Sequence, residues 1–202
     1  MPPPATESGA HALVLAAGAA RRFGGGKLDT MFRGRPLIDW AVTAALATRV
    51  ERVTIVLGAE ADRLRAALPD TGGPRLRTCL CSNWDEGLSA SLRCGLASLP
   101  DDARALLIFL GDMPHVSSEL ADQLLASVLD GAPAALPVWQ DQPGHPVAIG
   151  AELFPALRSL TGDSGAGRML RNVPNVVRIE TPDRGAVTDI DTLGDLQASV
   201  NP

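Results

Sequence analysis

The segment ALLIFL, Ala105–Leu110, holds no polar side chain and stops at Gly111-Asp112. A strand with one wet face alternates apolar and polar residues, so an unbroken apolar run closed by a turn signal marks a strand covered on both faces. Both faces are covered when helices pack on either side, which predicts an α/β fold with a mostly parallel sheet. The remaining pattern supplies the other parts. Strands are expected over 12–16, 53–57, 76–80, 135–138, 146–149 and 176–179, where apolar residues run together. Helices are expected over 37–46, 60–68, 88–99, 120–129 and 153–160, where apolar residues recur at three- and four-residue spacing. Pro36 suits the start of the first helix and Ser117 or Ser118 that of the fourth. Thr192 with Asp195 reads as a capping box opening a last helix.

At 202 residues, the chain is long enough to bury roughly 70% of its unfolded surface in one domain. That domain is expected to span 1–202, with 1–10 as a flexible tail. A net charge of −5 argues against nucleic acid as a partner. No apolar run approaches the roughly 20 residues of a membrane span. The apolar stretch HALVLAAGAA has Arg21 and Arg22 after it rather than a basic flank before it, the reverse of a secretory signal. A cytoplasmic protein with no membrane partner is therefore expected. Cys79, Cys81 and Cys94 include no CxxC pair, and His11, His115 and His145 are scattered. The thiols read as reduced and mostly buried, not as zinc ligands.

Between the first strand and the first helix lies AAGAARRFGGGKL, which contains Lys27, the only lysine in the chain. An ammonium is a compact charge on a flexible stem, suited to reaching between phosphate oxygens. The three glycines before it permit positive φ and let backbone N–H groups approach an anion closely. With Arg21 and Arg22, Lys27 forms the densest basic cluster of an acidic protein. The loop is not a Walker motif, because Arg21 and Leu28 occupy the places of its first Gly and its Ser or Thr. Nor is it a GxGxxG fingerprint, since Asp29 stands in place of the third glycine. Asp112 closes the apolar strand at the end where open α/β sheets bind ligands. In DIDT, at 189–192, an extended backbone points Asp189 and Asp191 to the same side. Convergence of Asp112 with Asp191 would create a site for Mg²⁺, which takes a few carboxylates together with water and substrate phosphates.

LAAGAARRFGGGK resembles the signature LAAGxSxRxGxxK of nucleotidyltransferases that activate small metabolites with an NTP, a family that includes the MobA-like molybdenum cofactor enzymes. GDMP at 111–114, GHP at 144–146 and DIDT follow in that family's order. The resemblance implies a three-layer Rossmann-like nucleotidyltransferase fold with a mostly parallel mixed sheet. It also implies Mg²⁺-dependent transfer of an NMP group to a phosphorylated acceptor, with release of pyrophosphate. Leu15, Ala16, Ala17 and Gly18 would meet the nucleotide. Arg22 and Lys27 would hold the triphosphate and the departing pyrophosphate, while Asp112 and Asp191 would hold the metal. Arg22, Lys27 and Asp112 are then the catalytic set.

Ala17, where guanylyltransferases carry LAGG, and the segment NWDEGLSASLRCGL resemble the cytidylyltransferase branch. That branch implies CTP as donor, molybdopterin as acceptor, and a molybdoenzyme or cofactor-insertion protein as a downstream partner. Asn83 and Ser89 would then bind the nucleotide, and Ser91 and His145 the acceptor. Each of these four serves equally well as a cap or a structural hydrogen bond. Two positions depart from the family: Ala20 replaces the usual Ser, and Gly167 stands where GDxGAR has Arg, with Arg168 next. A cytidylyltransferase for another metabolite, such as methylerythritol phosphate, is the enzymatic alternative. The two departures suit a third reading, an accessory protein that binds molybdenum cofactor without turnover.

Overall fold

Successive residues of the first strand enter different cores. In the computed structural model, which describes residues 6–68 and 73–200, strand β1 (Glu7–Ala16) sends Ala12, Val14 and Ala16 into one buried cluster and Leu13 and Leu15 into another. In chain order there follow the hairpin β2 (Met31–Phe32) and β3 (Arg35–Pro36), α1 (Leu37–Ala47), β4 (Val50–Leu57), α2 (Ala61–Ala67), β5 (Leu76–Leu80) and α3 (Leu88–Ala97). Then come β6 (Ala105–Leu110), α4 (Ser118–Leu129), β7 (Ala134–Trp139), β8 (Gln142–Pro143) and β9 (Val147–Gly150). The described chain closes with α5 (Phe154–Arg158), α6 (Ala166–Leu170), β10 (Val177–Glu180) and α7 (Leu193–Val200).

The main sheet runs β10-β7-β9-β6-β1-β4-β5, with β8 paired to β7. β5, β4, β1 and β6 pair in parallel, while β9 lies antiparallel between β6 and β7. One face carries α1 and α4 through Leu37, Ile38, Leu120 and Leu124; the other carries α3, α5 and α6 through Leu92, Leu96, Leu157 and Leu170. The ALLIFL strand divides accordingly, with Leu107 and Phe109 facing one helical layer and Leu106 and Ile108 the other. This is the three-layer α/β fold with a mostly parallel mixed sheet. From β1 the chain winds outward to β5 and then returns to β6 on the other side of β1. That reversal leaves a crevice at the carboxyl ends of β1 and β6.

Several expectations are corrected. The tail over 1–10 gives way from Glu7 onward, because Glu7 pairs with Val50 and Arg104 donates its backbone N–H to Gly9 O at 2.7 Å. A polar sequence can join a strand when its backbone groups find partners, and residues 1–5 lie outside the described set. The helix expected over 153–160 is shorter, Phe154–Arg158, and follows a 3-10 turn, Ala151–Leu153. The β2–β3 hairpin, β8 and α6 are too short to carry a periodic signal. The caps hold: Ser117 accepts from Leu120 N at 3.2 Å, and Thr192 and Asp195 exchange bonds of 2.7 and 3.1 Å.

Candidate active site

Lys27 reaches back from the loop after β1 to the end of β6. Its Nζ donates to Asp112 Oδ2 at 2.7 Å and to Asp191 Oδ1 at 3.1 Å. Arg22 adds an Nη1 bond to Asp191 Oδ2 at 3.2 Å. Three segments remote along the chain thus meet at one point. The DIDT segment is stitched there by Ile190, whose N–H donates to Asp112 O at 3.0 Å, while Gly111 N–H donates to Leu15 O at 3.0 Å.

The glycine triplet takes the expected positive φ, and its amides turn into the fold. Gly24, Gly25 and Gly26 all take positive φ (89°, 89° and 66°), which an L side chain resists. Their N–H groups are consumed within the fold: Gly24 donates to Arg21 O, Gly25 to Ala20 O, and Gly26 to Glu60 Oε1 at 2.9 Å. The glycines therefore bend the loop so that Lys27 returns to the sheet.

A cleft of about 720 Å³ opens over the crevice. Leu15, Ala16, Ala17, Gly18, Arg22, Lys27, Ser91, Asp112 and Asp191, all named from the sequence, line it. Asn83, Ser89 and His145 do not. Asn83 Oδ1 accepts from the thiols of Cys81 and Cys94, at 3.4 and 3.6 Å. Burial pushes the Cys81 thiol up to about 12, aided by its neighbour Cys94. Ser89 is wholly buried and its hydroxyl accepts from Arg93 Nη1 at 3.1 Å. His145 is half-buried, its pKa lowered by desolvation, and its backbone N–H donates to Ala186 O. All three were implied by the resemblance to the cytidylyltransferase branch, and a motif match does not report which way a side chain faces. Arg168 contacts Ser164 and does not line the cleft. Sequence reasoning missed Trp84, Asp85 and Asp163, which also line it.

The electrostatics follow from burial and charge. Burial of Lys27, 8% exposed, pulls its pKa down, but the charge and hydrogen bond of Asp112, joined by Asp191, outweigh this and raise it above its ordinary value. The ammonium stays charged. Asp189, given no metal role from sequence, joins Asp112 and Asp191 in a triad whose oxygens lie within 4.8 Å of one another. Burial, then repulsion from Asp191 and Asp112, raises the Asp189 carboxyl. Such a concentration of hard oxygen donors fits a divalent cation of the Mg²⁺ or Mn²⁺ kind, which relieves that repulsion.

A model of the MobA-like NTP transferase domain matches residues 12–178. The chain belongs to this family. Among its curated relatives is nicotine blue oxidoreductase of Paenarthrobacter nicotinovorans, 33% identical over 90% of this chain and 91% of that protein. Another is 2-C-methyl-D-erythritol 4-phosphate cytidylyltransferase of a Synechococcus strain, 38% identical over 63% of this chain and 58% of that protein. A solved homologue of Mycobacterium tuberculosis Rv0371c, from a Mycobacterium strain, superposes with a TM-score of 0.81 at 26% identity over 96% of both chains. Rv0371c itself, solved in complex with manganese, shares the fold with a TM-score of 0.78 at 23% identity over 95% of this chain and 97% of its own. Among the described residues no helix is long and apolar enough to cross a membrane.

Proposed function

We propose that this protein is a Mg²⁺-dependent cytidylyltransferase that moves CMP from CTP onto a phosphorylated small molecule, molybdopterin or a closely related pterin. One observation carries the reading: the only lysine of the chain is buried against carboxylates from two segments remote from each other in sequence, Asp112 after β6 and Asp191 before α7. The choice of CTP rests on Ala17 and the NWDEGLSASLRCGL segment. Delivery of the product to a molybdoenzyme or an insertion protein, in the cytoplasm, belongs to the same reading.

The residues divide the work. Backbone groups from Leu15 to Gly18 line the part of the cleft that receives the nucleotide. A phosphate oxygen of the acceptor attacks the α-phosphorus and pyrophosphate leaves, a reaction that needs alignment and charge neutralisation more than covalent help. Lys27, held protonated by its partners, and Arg22, whose side chain is 82% exposed at the mouth of the cleft, stabilise the charge on the leaving group. Asp112, Asp189 and Asp191 would hold the cation, which supplies Lewis-acid neutralisation of the phosphates. Bonded to Asp112 and Asp191, the Lys27 ammonium would sit beside that cation, within reach of the same phosphates.

The test is pyrophosphate release from each NTP with Mg²⁺ and either molybdopterin or methylerythritol phosphate. Release with CTP and molybdopterin supports the proposal; faster release with methylerythritol phosphate moves it to that acceptor, as the Synechococcus relative suggests. A second reading is favoured by the relative called an oxidoreductase: the same cleft would hold a redox nucleotide. No pyrophosphate with any acceptor, together with consumption of a reduced nicotinamide dinucleotide, would establish that reading instead.

A further inference from the structure

In-line displacement at phosphorus sets the entering oxygen opposite the departing one, so nucleotidyl transfer needs two approaches to one atom. The acid triad has two. Asp112 and Asp191 line the cleft that holds Lys27 and Arg22, whereas Asp189 lines a second cavity of about 780 Å³. Ser91 faces the first cleft, and His145 lines neither. The residues expected to bind the acceptor therefore leave the second approach unassigned.

The second cavity is built from the β2–β3 hairpin, the 3-10 turn Arg184–Val187 and α7. These parts are fastened together. Gly185 packs so closely on the loop after β6 that a Cβ would stand 2.4 Å from His115 O, and Arg33 Nη2 donates to Ser199 O at 2.6 Å. Arg33 lies 5.3 Å from the Phe32 ring and Arg184 lies 5.7 Å from that of Trp139, contacts that orient both guanidinium groups. Among the described residues neither guanidinium forms an ion pair. The cavity is also lined by Asp183 and Asp195, whose carboxylates are held by backbone N–H groups: Asp183 accepts from Gly185 N at 2.7 Å, and Asp195 from Asp191 N and Thr192 N at 3.1 and 2.7 Å. Two unpaired guanidinium groups beside a metal-type carboxylate suit a phosphate monoester, whose oxygens match the arginine fork.

We propose that this cavity receives the phosphate of the acceptor, with Arg33 and Arg184 as its anion ligands; the proposal rests on the nucleotidyl-transfer reading above. A phosphate held there presents an oxygen to the α-phosphorus from the side of Asp189. The new P–O bond forms as the bond from the α-phosphorus to the bridging oxygen breaks. Pyrophosphate departs with that electron pair toward Lys27 and Arg22. The attacking oxygen of a phosphate dianion carries no proton, so no base is required.

Two measurements test this. In CMP transfer to molybdopterin, Arg33→Ala and Arg184→Ala should each raise the acceptor KM about tenfold, the scale of one charge-assisted hydrogen bond, with the CTP KM within about twofold. Unchanged acceptor KM, or an equal rise in both constants, overturns the assignment. Independently of turnover, glycerol 3-phosphate titrated into the Mg²⁺-loaded, ¹⁵N-labelled protein should shift the Gly185 and Thr188 amides. The shifts should vanish in the double alanine variant and return in part with Arg33→Lys and Arg184→Lys. No shift in the wild-type protein overturns the cavity as a phosphate site. Shifts without CMP transfer to any acceptor support the phosphate site and defeat the nucleotidyl-transfer reading alone.

Discussion

Two buried titratable groups, one within β1 and one in the loop after it, have met opposite fates. Lys27, after the carboxyl end, is 8% exposed and bonded to two carboxylates, and its pKa is raised. His11, mid-strand in β1, is 2% exposed, neither ring nitrogen has a partner, and burial lowers its pKa despite nearby Glu51. Burial with opposite charges keeps a group ionised; burial without hydrogen-bonded partners drives it neutral. The first condition makes an electrostatic tool. The second makes a core residue that stays neutral, and whose forced protonation destabilises the fold.

The largest expected effect comes from destroying the charged member. Lys27→Ala, or Asp112→Ala, should lower turnover by about 10²–10³-fold, the loss seen when one electrostatic stabiliser is removed. Single-turnover kinetics with folding checked by circular dichroism would measure it, and wild-type rates in both variants would remove these residues from the reaction. Asp189→Asn should weaken Mn²⁺ binding roughly tenfold or more, read by electron paramagnetic resonance, because it deletes one of three converging carboxylates. Unaltered affinity would return the site to the Asp112–Asp191 pair anticipated from sequence.

Loop shape is separable from loop chemistry. At Gly25 an added Cβ would meet Glu60 Oε1 at an ordinary 3.5 Å, so Gly25→Ala imposes chiefly the strain of positive φ. A loss of about 1–2 kcal/mol in urea denaturation is expected, along with slower turnover as Lys27 shifts. The smallest effect concerns pH. Burial depresses the folded-state pKa of His11, His115 and His145 below 6.5. The unfolded chain then binds more protons between each lowered value and 6.5, so stability is full above that range and is lost as pH falls through it. His11→Leu should flatten the decline in urea midpoint on acidification. An unchanged slope would show that His11 is not among the groups responsible. Lys27 works in the other direction, since its contribution persists below 10.5 and disappears only as pH rises through its raised value.

Much of the architecture was legible because local pattern reflects layer position. ALLIFL is apolar throughout because both of its faces are covered, and the Leu spacing of α3 and α4 reflects helices that each bury one face. The capping box at Thr192 was legible for a similar reason, since its partners are three residues apart. The β2–β3 hairpin was not, because two-residue strands have no period. Polar residues were the harder case. Ser91 faces the cleft and Ser89, two positions away on the same helix, is sealed against Arg93. Their chemistry is identical, and only the packing of α3 distinguishes them.

The amino-acid order alone determined the alternation of strands and helices, the bend required of a glycine triplet, and the placement of a lone lysine and an aspartate at strand ends. Periodicity and backbone sterics act over a few residues, so these properties are written locally. Tertiary structure decided that Asp189 completes a triad, that the glycine amides turn inward, and that the carboxylates divide between two cavities. Those outcomes depend on contacts such as Ile190 N–H to Asp112 O, between segments far apart in the chain, whose alignment exists only after both have packed against the same sheet.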